Sequence, residues 1–104
     1  MSGRVDGGAL AALADPTRRD LLERLARGEA SATTLARGLP ISRQAVVQHL
    51  SVLDAAGLVR SDRHGREVRW SPRPDGLIAA ASWLTGIADE WDRRLAAIKA
   101  IAEE

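Results

Sequence analysis

Between Ser42 and Leu53 the chain carries Arg43, Gln44, Gln48, His49 and Ser51 and no acidic residue; the first carboxylate after Ser42 is Asp54. On a helix advancing about 100° per residue, Gln44, Gln48 and Ser51 fall opposite Val46, with Val47 on one shoulder and Arg43 in the first turn. These side-chain types suit one kind of chemistry. A glutamine amide pairs with adenine through two hydrogen bonds, an arginine pairs with guanine, and a small apolar group such as Val47 can touch a thymine methyl. A surface helix of ordinary composition would show Glu or Asp on this face; the plain alternative is a solvated polar face. His49 lies about 60° from the centre of the apolar seam. There it either meets a phosphate or packs between helices, and no neighbour of suitable type completes a metal site.

Start and stop signals set this face in place. Asp15-Pro16 supplies a cap and a first-turn proline; Leu21, Leu22, Leu25 and Ala26 follow as one stripe up to Gly28. Ser31 caps a short helix with Leu35 and Ala36, which stops at Gly38. Gly38-Leu39-Pro40-Ile41 must turn, because Pro40 keeps Leu39 out of the helical region. Ser42 caps the next helix, Ile41 and Val46 stand at hydrophobic-staple spacing, Val46, Leu50 and Leu53 face inward, and Gly57 ends the run. Two helices joined by a four-residue turn containing glycine form the helix-turn-helix pattern, whose second helix enters the DNA major groove.

After Gly57 the period shifts towards two. Val59 to Arg63 and Arg66 to Ser71 read as strands around a His64-Gly65 loop. That loop sets Val59 opposite Trp70 and Ser61 opposite Val68, with Arg63 and Arg66 at the tip. It also sets Arg60 opposite Arg69 and Asp62 opposite Glu67, like-charge pairs that work against it. A basic-tipped hairpin after a helix-turn-helix makes a winged helix, with the hairpin along the adjacent backbone or minor groove. His64 is either a solvated turn residue or a phosphate contact.

The formal net charge of +1 speaks against nucleic acid only as a total. Residues 1–36 sum to zero, 37–73 to +4 and 74–104 to −3, so the basic excess falls on the proposed reading head. Fourteen of the fifteen basic residues are arginine, which suits phosphate forks better than lysine. A GC-rich genome would give the same bias. With 104 residues, 45% of them hydrophobic, residues 1–104 are expected to form one folded domain. The absence of cysteine excludes disulfide scaffolds, thiolate zinc sites, Fe–S clusters and catalytic thiols. No apolar run approaches the roughly 20 residues of a membrane span. Met1 to Gly8 lacks the apolar segment of a signal peptide, so the cytoplasm is the expected compartment.

Leu77, Ala81, Leu84, Ala88, Trp91, Leu95, Ile98 and Ala102 alternate in steps of four and three, widened by Ala80, Trp83, Ile87 and Ile101. Such a stripe exceeds what one small domain can cover, and a self-complementary two-fold contact is its simplest use. Its first half is expected in the monomer core. Leu84, Ile87, Trp91, Leu95 and Ile98 are expected across a homodimer, joined by Leu10 and Leu13. Trp83 and Trp91 are buried aromatic anchors or, less commonly for such residues, the walls of a ligand pocket. The expected architecture is mainly α with a small β-hairpin wing: a helical core over 15–57, a wing over 58–71 and a dimerisation helix over 74–104.

The string Ala12-Leu13-Ala14-Asp15-Pro16-Thr17-Arg18-Arg19, with Leu21-Leu22, Leu25, Leu35-Ala36, Ile41-Ser42, Ala45-Val46, Gln48-His49-Leu50, Val52-Leu53, Ala56-Gly57-Leu58-Val59 and Gly65-Arg66, resembles the ArsR/SmtB winged-helix repressors. Residues 10 to 71 are well covered, and the terminal helix looks like that of the Cys-less members. The resemblance implies a homodimer held by first and last helices, repression relieved by some signal, and an operator with two-fold character. By position it carries over Ser42, Arg43, Gln44, Gln48 and His49 to the recognition helix. The family's metal sensors use a cysteine pair before the turn, or His with Asp or Glu on the last helix. Here cysteine is absent, and the last helix offers Asp89, Glu90 and Asp92 without His. Carboxylates alone bind a borderline metal weakly, so no metal site and no cofactor are expected, and the inducer is unknown.

The expected partner is double-stranded DNA, reached through Ser42, Arg43, Gln44, Val47, Gln48, His49, Ser51, Arg63, His64 and Arg66. The competing reading is a winged-helix module that binds protein and no DNA. The acid-free helix face and Arg63 and Arg66 at the wing speak against it. An enzyme is a distant third, for no Ser/His/Asp spacing, phosphate-binding glycine loop or paired carboxylates appear.

Overall fold

The computed structural model describes residues 7–103. Residues 1–6, which hold most of the stretch inspected for a leader, and Glu104 lie outside the described residues. Five helices and three strands follow in the order α1 (Gly7–Leu13), α2 (Pro16–Arg27), β1 (Ala30–Ser31), α3 (Ala32–Arg37), α4 (Arg43–Ala55), β2 (Val59–His64), β3 (Glu67–Pro72) and α5 (Pro74–Ala102).

Three helices begin where a side chain satisfies orphan amides. Asp15 Oδ1 accepts from the backbone N–H of Thr17 at 2.8 Å and of Arg18 at 3.1 Å. Ser31 Oγ accepts from Thr34 N–H, and Ser42 Oγ from Ala45 N–H, each at 3.1 Å. These are the caps the sequence suggests at the same residues. Leu21 and Leu25 of α2, Val46, Leu50 and Leu53 of α4, and Leu58 and Val59 beyond it are fully buried together. Excluding each such side chain from water contributes roughly 1.5–3 kcal/mol, so this cluster holds α2, α4 and the base of the wing as one unit.

The wing corrects the expected register by two residues. Val59 pairs with Pro72, Ser61 with Trp70, Asp62 with Arg69, Arg63 with Val68 and His64 with Glu67. The loop is therefore Gly65-Arg66 and not His64-Gly65. Gly65 has φ +66° and no described non-glycine residue has positive φ. Glycine at the first central position is what a type II′ hairpin turn demands. The gain is electrostatic as well. Asp62 now faces Arg69, and the like-charge pairs of the expected register are gone. Arg63 sits one rung below the tip.

A strand unforeseen in the sequence completes the sheet. β1 pairs antiparallel with β3, Ala30 with Trp70 and Ser31 with Arg69, which makes β3 central in the order β1-β3-β2. Two residues carry no visible period, and Ser31 serves at once as strand end and as the cap of α3. Arg69 of β3 donates from Nε to Glu67 on its own strand at 2.6 Å and from Nη1 to Glu29, just before β1, at 3.4 Å.

The last helix departs from expectation. Only Ala80 is buried and Leu77 half-buried; Ala81 and every residue from there to Glu103 is exposed. The first two turns of α5 lie over the α4–β2 junction, where Arg73 N–H donates to Leu58 O at 2.9 Å. A methyl group on Gly76 would run into the Gly57 carbonyl, so the close approach there needs glycine. Beyond that point the helix leaves the body. The radius of gyration is 18.2 Å, against about 13 Å for a compact chain of this length.

Asp15 carries a pH signature. The Arg18 amide, opposed in part by desolvation and helped by the Thr17 amide and the Arg18 charge, holds its carboxyl below the ordinary value of 3.8. A depressed carboxylate stabilises the fold above its unfolded value, and that stabilisation disappears as pH falls through the folded one. Thermal melts of Asp15→Asn, an equally good cap, should match wild type near neutrality. Below about pH 4 the variant should lose less stability than wild type; parallel acid limbs would contradict this.

Candidate nucleic-acid interface

Burial of Val46, Leu50 and Leu53 turns the opposite face of α4 outwards. Gln44, Gln48 and Ser51 are exposed on it, and none of their side chains has an intramolecular hydrogen bond among the described residues. Val47 is half-buried against the core at the shoulder of this face. Ser42 is exposed, but its hydroxyl oxygen is engaged in the cap. Arg63, His64 and Arg66 are exposed on the wing.

Two of the expected contacts also bond within the chain. Arg43 donates from Nε to Thr33 Oγ1 at 3.1 Å, back across the turn to α3. His49 is half-buried, with Nδ1 3.4 Å from Nη1 of Arg18. A guanidinium only donates, so Nδ1 is the acceptor in this contact. This is the placement of a histidine packed between helices.

Arg18 escaped the sequence reading as a site residue. Its Nε donates to Ala12 O at 2.8 Å and its Nη2 to Ala11 O at 3.3 Å, while Arg19 Nη1 donates to Leu13 O at 2.7 Å. Two guanidiniums thus satisfy the orphan carbonyls at the end of α1. Arg18 also lies 3.8 Å from Asp15 Oδ2. One side chain connects the end of α1, the cap of α2 and the middle of α4. The Asp15-Pro16-Thr17-Arg18-Arg19 string was the available signal, but nothing in it pointed at residue 49.

Thr33, Arg37 and Trp70 were also missed. They line a groove between α3, the first turns of α4 and β3, together with Arg43 and Val47. Arg37 counted in the basic excess; its position beside the wing follows only from the pairing of β1 with β3.

Three layers now coincide: a helix-turn-helix, a three-stranded wing and an acid-free outer face on the second helix. They define a winged-helix DNA-binding regulator. The comparisons agree. The helix-turn-helix domain family matches residues 13–62. The chain is 45% identical over 84 residues to the HTH-type transcriptional regulator Rv2034 of Mycobacterium tuberculosis, covering 81% of this chain and 76% of that one. It is 29% identical over 84 residues to the transcriptional repressor SdpR of Bacillus subtilis, covering 81% and 93%. An ArsR-like transcriptional regulator from Rhodococcus sp. RHA1 has a similar structure, with TM-score 0.84 and 50% identity over 92% of this chain and 88% of that one. The protein belongs to the ArsR/SmtB family of winged-helix transcriptional regulators, a DNA-binding and non-enzymatic class. Among the described residues no helix is long and apolar enough to cross a membrane.

The Arg18–His49 contact predicts coupled stability effects. In urea unfolding, Arg18→Gln and His49→Gln should each destabilise, and the double variant should cost less than their sum by roughly 0.5–1.5 kcal/mol. Additive losses would show that the contact carries no energy.

Proposed function

We propose that the protein is a homodimeric repressor that binds a two-fold-symmetric operator. The uncovered stripe on α5 carries the dimer. Leu84, Ile87, Trp91, Leu95 and Ile98 are 51%, 51%, 56%, 46% and 61% exposed in the single chain. Monomers rarely leave such a contiguous apolar surface open. A second copy of the same helix matches it without any other partner, and the half-exposed Leu10 and Leu13 on α1 extend the contact. A two-fold dimer presents two α4 helices, which is why the operator is proposed to be palindromic.

In this reading Gln44, Gln48 and Ser51 meet base edges in the major groove, with Val47 beside them. Arg63, His64 and Arg66 of the wing lie against the backbone. The signal that releases the operator is proposed to be other than a metal ion. The chain has no cysteine, and the acidic residues of α5 lack a histidine to complete a borderline-metal site.

Two measurements test this. Sedimentation of wild type at micromolar concentration should give twice the monomer mass, and Leu84→Glu or Ile98→Glu should shift it towards monomer. A monomeric wild type would refute the dimer. Against a selected operator, Gln44→Ala and Gln48→Ala should each lose about 1–3 kcal/mol of specific binding with unchanged melting temperature. Wild-type affinity in both variants would remove them from base recognition.

A further inference from the structure

The groove between α3, α4 and β3 has a volume of about 570 Å³ and three guanidiniums on its walls, from Arg37, Arg43 and Arg66. The side chains of Arg37 and Arg66 have no hydrogen-bond or ion-pair partner among the described residues. Arg43 uses only Nε, on Thr33, so both of its terminal nitrogens remain unpaired. One acid shares the wall, Glu67, and its carboxylate is held by Arg69 at 2.6 Å. The groove therefore presents three uncompensated positive charges. Thr34 adds a hydroxyl whose oxygen accepts from Ser31 Oγ at 3.1 Å and whose own proton is left to donate. Arg43 lines this groove; Gln44, Gln48 and Ser51 do not.

We infer that this groove is the seat of the DNA phosphodiester strand, and that Arg43 holds phosphate there with Arg37 and Arg66 instead of reading a base. The inference rests on the proposed base-reading role of α4 and divides its first turn between two tasks. Like charges brought together without a counter-charge repel one another, and a strand of phosphates supplies that counter-charge along the groove's length. Guanidiniums match phosphate oxygens in forked pairs, and the Nε tether to Thr33 fixes the plane of the Arg43 fork before DNA arrives. Arg37 and Arg43 from the helices and Arg66 from the wing then bracket the same segment of backbone.

The test compares the full-length chain with Arg37→Gln, Arg43→Gln, Arg43→Lys and Gln48→Ala on a selected operator and on a scrambled duplex of equal length, from 50 to 200 mM KCl. All three positions are exposed, and equal melting temperatures establish that the fold is intact. Arg37→Gln and Arg43→Gln should weaken binding to both duplexes by the same factor. Each should lower the slope of log affinity against log salt by about one, so that its deficit shrinks about fourfold across this salt range. Arg43→Lys should restore the slope. Gln48→Ala should weaken the operator alone and leave the slope unchanged. An Arg43→Gln variant that loses operator preference, or keeps the full slope, would overturn the assignment. If wild type retains neither duplex at 50 mM, the DNA-reading role of α4 fails and this inference falls with it, a result distinct from either of the others.

Discussion

The inward seam of α4 is the constraint on which the rest depends. Val46, Leu50 and Leu53 are fully excluded from solvent against Leu21, Leu25, Leu58 and Val59. A helix anchored by three such residues at spacings of four and three cannot rotate about its axis without exposing one of them. The outward direction of Gln44, Gln48 and Ser51 is therefore a consequence of apolar packing and needs no contact of their own. The caps at Ser31 and Ser42 set where the two helices begin, and Pro40 prevents them from fusing into one.

What was legible in the sequence follows from this. Apolar period and capping chemistry act locally, so the helices, the turn and the outer face of α4 could all be read from residues close in the chain. The wing register could not. Its loop was placed one residue too early because His64-Gly65 and Gly65-Arg66 are both plausible two-residue turns. The choice goes with Gly65 at positive φ in the first central position of the turn and with the cross-strand pairing that follows from it. β1 was invisible because two residues have no period. The Arg43–Thr33 hydrogen bond was not readable either, because the Thr33 hydroxyl belongs to another helix. The body's core was overestimated at its last element: the four-three stripe of α5 is real, but after Ala80 it is left exposed among the described residues.

Charge is arranged at two scales. Along the sequence the basic excess of 37–73 is separated from the acidic excess of 74–104, which keeps like-signed repulsion with phosphate on the far helix. Within the wing, Arg69 takes up both Glu67 and Glu29. Surface pairs of this kind add little stability. Their effect is on the field: with the nearby carboxylates engaged on Arg69, Arg37, Arg43 and Arg66 keep their charge unspent.

The seating of α5 has a mechanical consequence. Gly76 rests under the Gly57 carbonyl and Arg73 is hydrogen-bonded to Leu58, so the helix is rooted just past the end of the recognition helix. At about 1.5 Å per residue its 29 residues form an arm of roughly 43 Å. A tilt of ten degrees at that root carries the far tip through about 7 Å, more than one helical turn. Read in the other direction, the arm demultiplies: a large displacement at its tip arrives at the reading helix as a small, stiff rotation.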